Sequence, residues 1–126
     1  MRPESFPKAE RVRKSDEFTR ILQGGRRVRG RLITAVWTID GEDRDAPNRV
    51  GFAAGKRLGN AVLRNRLKRH LREAYRRNKR ELPCRGLSIV FLATRATVGR
   101  SHAEIRDDLV TVLRGIASSL ESPSDP

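Results

Sequence analysis

The chain has one cysteine, Cys84, in 126 residues. No disulfide can close within it and no cysteine-based metal site can form; Cys84 is expected to pack as a small apolar side chain. Long apolar runs are missing as well. None approaches the roughly 20 residues of a membrane-spanning helix. The opening MRPESFPKAERVRK lacks the apolar stretch of a secretory signal, so the expected location is the cytoplasm. Histidine is limited to His70 and His102. Two imidazoles can act as general acid and base in a metal-independent nuclease. Here one falls at the edge of an apolar seam and the other in the first turn of the last helix, and nothing in the sequence predicts that they meet. Carboxylates cluster only at Asp40, Glu42, Asp43 and Asp45. That stretch has no apolar walls and reads as a flexible acidic turn rather than a metal-nuclease site. GKRLGN lacks the spacing and the Lys-Ser/Thr ending of a phosphate loop. The chain alone presents no catalytic constellation.

Acids are scarce against bases. Lys plus Arg number 28 and Asp plus Glu 15, a formal charge of +13. So much charge on one small domain points to a polyanion, nucleic acid first and an anionic membrane second. The hydrophobic fraction of 37% is low but patterned, which excludes a wholly disordered basic tail. The length suits one domain with one core. No repeats interrupt it.

Residues 1–13, with Pro3 and Pro7 among charges, read as a flexible basic arm. SDEFTRILQGG predicts a short helix with Ser15 as N-cap, Asp16 and Glu17 at the positive end of its dipole, and Gly24-Gly25 as its stop. RLITAVWTID predicts a strand with Ile33, Ala35, Trp37 and Ile39 on one face, and RVGFAAG a second with Val50, Phe52 and Ala54 alternating. A long helix follows over about Ala61 to Lys79, with Asn60 as N-cap and Pro83 beyond its end. GLSIVFLAT is apolar on both faces and predicts a central strand. Ser101 and Glu104 then stand at capping-box spacing before a helix with Ile105, Leu109, Val112, Leu113, Ile116 and Leu120 on its core face. The expected fold is α+β: a single-domain sandwich of a small mixed sheet and three helices, in the order α-β-β-(β)-α-β-α, with the bracketed strand open. Strand-helix-strand around the long helix suggests a parallel pair. The domain should span 14–120, with 121–126 as a frayed tail.

The long helix carries the charge. Within RNRLKRHLREAYRRNKR, Glu73 is the only acid. Leu63, Leu67, Leu71 and Ala74 form a narrow apolar stripe flanked by His70 and Tyr75. Arg64, Lys68, Arg72 and Arg76 make an i+4 ridge that Asn65 and Arg69 extend round the back; Arg66 and Arg77 lie on the opposite shoulder. Repulsion within such a ridge costs roughly 1–2 kcal/mol before screening, and bound phosphate would offset it. The preference for Arg over Lys suits bidentate contact with phosphate and stacking on bases, and Asn65 can reach a base edge or a sugar hydroxyl, which favours folded or single-stranded RNA. The helix N-terminus at GNAVLRNR offers a further phosphate position. Arg11, Arg13, Lys14, Arg20, Arg26, Arg27, Arg29 and Arg31 add to the basic side, whereas Glu104, Asp107, Asp108 and Glu121 outnumber Arg106 and Arg114 on the last helix, predicting an acidic side turned away from the polyanion.

RVGFAAGKRLGNAVLRNRLKRHLREAYR closely resembles the bacterial ribonuclease P protein component. The shared elements are Lys56-Arg57, Gly59-Asn60-Ala61-Val62, Arg64-Asn65-Arg66, Lys68-Arg69 and Leu71-Arg72-Glu73. RVRKSDEFTRILQGG is similar to the family's opening and GLSIVFLATRAT to its last strand. The resemblance implies a left-handed βαβ crossover. It implies the small subunit of a ribonucleoprotein endonuclease that removes the 5′ leader from precursor tRNA, with a catalytic RNA and Mg²⁺ performing the chemistry. The partners implied are that RNA and precursor tRNA, without an obligate protein partner. By position, Asn60, Arg64, Asn65, Arg66, Lys68, Arg69, Arg72 and Arg76 are the expected RNA-binding set. Phe18, Lys56 and Arg57 match the leader cleft; Phe18 stacks on an unpaired base or packs helix on sheet. The chain departs from the family pattern at Leu22, where a second aromatic is common, and at Ala53 and Gly55, where Ser or Thr is common. A structural RNA-binding protein, such as a ribosomal component, is the alternative reading. A peripheral membrane helix is the third, and it fits poorly because the apolar stripe is committed to a core.

Overall fold

The computed structural model describes residues 10–12, 15–39, 43 and 45–121. Most of the expected arm (1–9 and 13), Lys14, residues 122–126 of the expected tail, and Asp40 and Glu42 of the acidic turn lie outside the described residues. Three helices, α1 (Ser15–Gly24), α2 (Ala61–Asn78) and α3 (His102–Glu121), accompany four strands, β1 (Arg26–Arg29), β2 (Ile33–Ile39), β3 (Arg49–Ala54) and β4 (Leu87–Ala93). The sheet order is β1-β2-β4-β3. β2 is antiparallel to both β1 and β4, while β3 and β4 are parallel and joined through α2. The bracketed strand is therefore real. β1 is a four-residue edge strand with three exposed arginines, whose charges discourage pairing with a further strand.

β4 is central and buried on both faces, as its unbroken apolar sequence predicts. Its Leu87, Ile89, Phe91 and Ala93 join Ile33, Ala35 and Trp37 of β2 and Val50 and Phe52 of β3 under α2 and α3. Phe52 stacks on Phe91 with centroids 5.9 Å apart, and Tyr75 of α2 leans on Phe91 at 5.8 Å. Burial pushes the Tyr75 phenol well above its ordinary pKa. The opposite face is covered, among the described residues, by α1 and the short segment at Val12. There Val12, Ile21, Val36 and Val90 form a second, smaller core, with Phe18, Leu22, Ala53 and Leu92 only partly buried around it.

Local chemistry sets the helix boundaries. Asn60 accepts from the Leu63 backbone N–H at 2.9 Å, the expected N-cap. Ser101 and Glu104 complete the expected capping box, at 3.0 and 3.1 Å. α2 gives way to a short 3₁₀ turn, Lys79–Glu81, before Pro83. Ser15, expected as the cap of α1, is instead its first helical residue.

Four further expectations are corrected. Cys84 is exposed rather than packed, because it follows Pro83 in the turn leaving α2. Ile39 is 53% exposed, since it lies at the end of β2 past the reach of the covering helices. Asp108 is no surface acid: it is buried and accepts the backbone N–H groups of Arg31, Leu32 and Ile33 at 2.8–2.9 Å, fastening α3 to the bend before β2. The inner end of the expected arm is folded, for Arg11 bridges to Val50 and buried Val12 donates to the Val50 carbonyl at 3.0 Å. No helix among the described residues is long and apolar enough to cross a membrane.

Candidate nucleic-acid interface

α2 buries Leu67, Leu71, Ala74 and Tyr75 and half-buries Leu63, so its core-facing side is that of the predicted stripe. Everything outward follows from that anchoring. Asn65, Arg66, Arg69 and Arg72 are exposed, while Arg64, Lys68 and Arg76 are half-buried at the flanks. Arg72 reaches back over the Phe52 ring, 6.0 Å from its centroid, and so marks where the basic helix meets β3. The Arg64 Nε is buried without a hydrogen-bond partner among the described residues.

The lone acid does not dilute the charge evenly. Glu73 accepts from Arg76 at 2.6 and 3.1 Å and from Arg77 at 2.9 Å. Those hydrogen bonds hold its carboxyl down at about 2. Arg76 is thereby partly neutralised within the protein, whereas Arg66, Arg69 and Arg72 make no ion pair among the described residues. Lys79 pairs with Glu10 at 2.9 Å. The cationic surface therefore concentrates in the N-terminal two-thirds of α2.

The Gly59-Asn60 pair has structural work. Gly59 sits at φ +150, and a Cβ there would meet the Leu63 Cδ2 at 2.6 Å. Asn60 spends its carbonyl oxygen on the cap. Lys56 and Arg57 form an exposed 3₁₀ turn between β3 and α2, at the same end of α2 as Asn65 and Arg66.

Phe18 lies on the other side of the sheet. Its ring rests on Gly51 of β3, where a Cβ would stand 2.6 Å from the Phe18 Cζ. Glu17, one residue earlier, accepts from both terminal nitrogens of Arg49 and pins α1 to β3. Beside α1 an aligned row crosses the sheet: Arg29 opposite Thr34, Thr34 opposite Leu92, Leu92 opposite Ala53. Thr34, Leu92 and Ala53 are half-buried and Arg29 is exposed. The row and Phe18 share the less covered face of the sheet, where Leu22, Ala53 and Leu92 give a partly buried apolar surface, the candidate groove. Arg29 was expected on the basic side, whereas Thr34 and Leu92 were not singled out from the sequence. Their signal was the period-two alternation, which puts every second residue of β2 and β4 on the less covered face.

The two histidines do meet. The His70 Nδ1 is 3.1 Å from the His102 Nδ1, because the packing of α2 on α3 brings the first turn of α3 beside the middle of α2. They lie in an open cleft with Arg66, Arg69, Arg72 and Glu73. Partial burial, then His102, then Arg66 lower the His70 pKa. The predicted acidic side of α3 is largely neutralised: Asp108 is buried, Asp107 pairs with Arg106 and Glu104 with Arg100.

Comparison with known proteins identifies the family. The family model described as Ribonuclease P matches residues 6–117. A ribonuclease P protein component from Gluconacetobacter diazotrophicus is 39% identical over 109 residues, covering 85% of this chain and 90% of that one. One from Acidothermus cellulolyticus is 34% identical, covering 93% and 96%. The ribonuclease P protein of Staphylococcus aureus has a similar structure, with TM-score 0.72 and 30% identity over 86% of this chain and 96% of that one. That of Thermotoga maritima gives 0.70 and 27% over 84% and 96%.

Proposed function

The chain belongs to the ribonuclease P protein family, and from that membership we propose how its surface serves the ribonucleoprotein. It is the protein component of a tRNA 5′-processing endoribonuclease, and its partner is the ribonuclease P RNA. The outward side of α2 docks on that RNA through Asn65, Arg66, Arg69 and Arg72, with Arg64 and Lys68 at its margin and Arg76 and Asn60 in supporting positions. The observation that carries this reading is the set of exposed cations on α2 that make no ion pair among the described residues, on a helix whose other side is locked into the core.

The groove beside α1 holds the single-stranded leader of precursor tRNA. Phe18 supplies a face for an unpaired base, and Lys56, Arg57 and Arg29 supply charge at its borders. Leu22, Ala53 and Leu92 make the floor apolar, so contact there depends on shape and stacking more than on hydrogen bonds to base edges. The chain's own part in a Mg²⁺-dependent hydrolysis is to bind and orient the two RNAs and to screen their mutual repulsion, with Mg²⁺ held mainly by RNA.

Reconstitution tests this. Protein, cognate RNA, Mg²⁺ and precursor tRNA should yield a mature 5′ end, and protein alone should not cleave. Cleavage that survives removal of all RNA would overturn the division of labour.

A further inference from the structure

We propose that His70 and His102, together with Arg66 and Arg69, form a phosphodiester-binding subsite that takes up one proton when RNA occupies it. The proposal rests on the docking of α2 on RNA and adds a feature that charge alone does not imply.

The geometry is specific. The two Nδ1 atoms stand 3.1 Å apart, with ring centroids at 5.3 Å and planes at 47°. At that distance one Nδ1 carries hydrogen and the other accepts it. A hydrogen on both Nδ1 atoms would destroy the contact. The ring that donates from Nδ1 has its Nε2 lone pair free for one added proton. Adding that proton keeps the Nδ1 link, gives both rings an Nε2–H donor, and places one positive charge on the pair. Two outward N–H donors and a net charge are what a phosphate oxygen pair accepts.

The surroundings set when that proton binds. On α2 the pair faces Arg66, Arg69 and Arg72; Glu73 shares the cleft but is held by Arg76 and Arg77. On α3 Glu104 is engaged by the Ser101 backbone and Arg100. Without an anion, partial burial, then His102, then Arg66 disfavour a proton on His70. A phosphate cancels the repulsion, so the occupied site holds the proton that the empty site rejects. By linkage, binding tightens as pH falls. The spacing also matches two imidazoles on one metal ion, but three guanidinium groups in the same cleft oppose a divalent cation.

These are the only two histidines in the chain, and the α-amino group, which titrates near pH 8, is common to every variant. The test measures affinity for ribonuclease P RNA at fixed salt and Mg²⁺. Between about pH 8 and about pH 6 the wild-type protein should gain up to roughly tenfold in affinity, one proton's worth of linkage. The double variant His70→Gln/His102→Gln should lose that slope. His102→Lys, which fixes the charge, should bind without a slope and at least as tightly as wild type at the acid end. Parallel curves for wild type and the double variant overturn the proposal. So do wild-type curves that change when a zinc-selective chelator is added, since that reports a metal between the rings. Failure of every protein to bind RNA at any pH is a different result: it removes the docking reading itself.

Discussion

The two faces of the sheet are built from the same four strands and treated differently. Under α2 and α3 the face is closed, with Trp37, Phe91, Leu71, Leu109 and Leu113 each at most 1% exposed. Under α1 it is half open. One ten-residue helix covers Val36 and Val90 and leaves Thr34, Leu92 and Ala53 partly in solvent. A closed face can use its whole area for stability. An open one gives up some burial and keeps a groove. The lesson is one of division: the closed layer holds the molecule together and carries the basic helix on its outside, while the open layer is the face proposed above for a strand of RNA.

The sharpest way to break this separation is to damage each face in turn. Leu71→Ala, at the centre of the closed core, should destabilise by about 2–5 kcal/mol in denaturant unfolding. Leu92→Ala on the open face should cost about 1 kcal/mol or less. Equal losses would mean that the faces do not differ in the way their burial suggests. Asp108→Ala belongs with the closed side. It strips three backbone donors of their acceptor, and about 2–4 kcal/mol should be lost.

Next come changes expected to leave stability nearly untouched. Arg66→Ala with Arg69→Ala should weaken RNA binding by about one to two orders of magnitude and lower the salt slope by roughly 2, with unfolding free energy changed by under about 0.5 kcal/mol. Filter binding at several salt concentrations reads both. Phe18→Leu keeps the packing on Gly51 but removes the ring. Preference for precursor over mature tRNA should fall by about 1 kcal/mol, and an unchanged preference would return Phe18 to pure packing.

The smallest effect is expected at Glu73. Its carboxyl is held at about 2 against an ordinary 4.5, so its contribution is full above the ordinary value and is lost as pH falls toward 2. Being partly solvated, it is worth under about 0.5 kcal/mol. Glu73→Gln should therefore barely move the unfolding midpoint, yet it removes the acid that Arg76 and Arg77 hold. RNA affinity should rise by a few-fold, consistent with one more cation available to phosphate.

Much of the closed face was legible from sequence because it follows periodicity. β4 reads as central from apolar residues on both sides, and Ile105, Leu109, Val112 and Ile116 mark the core side of α3. The caps at Asn60 and Ser101 were legible because their donors are local. What failed was long-range. Four residues with three arginines do not look like a strand, and β1 exists only because β2 offers it an edge. Asp108 looks like any surface acid until the bend at Arg31–Ile33 turns its N–H groups inward. His70 and His102 are 32 residues apart, and only helix packing joins them. For the candidate interface, the basic helix and its buried stripe could be read from the chain, whereas the row Thr34, Leu92 and Ala53 needed the register of three strands.

The Asp108 latch has a consequence for how the chain is made. Its partners lie 75–77 residues earlier, and β2 must also wait for β4, which follows it by some fifty positions. During synthesis the ribosome releases the basic helix before the strand and the helix that hold it in place. A nascent chain therefore carries its cations well ahead of the scaffold that orients them, with the ribosome's own RNA close by. Only when the last helix emerges can the bend at residues 31–33 lock, so the order of translation sets the moment at which the fold closes.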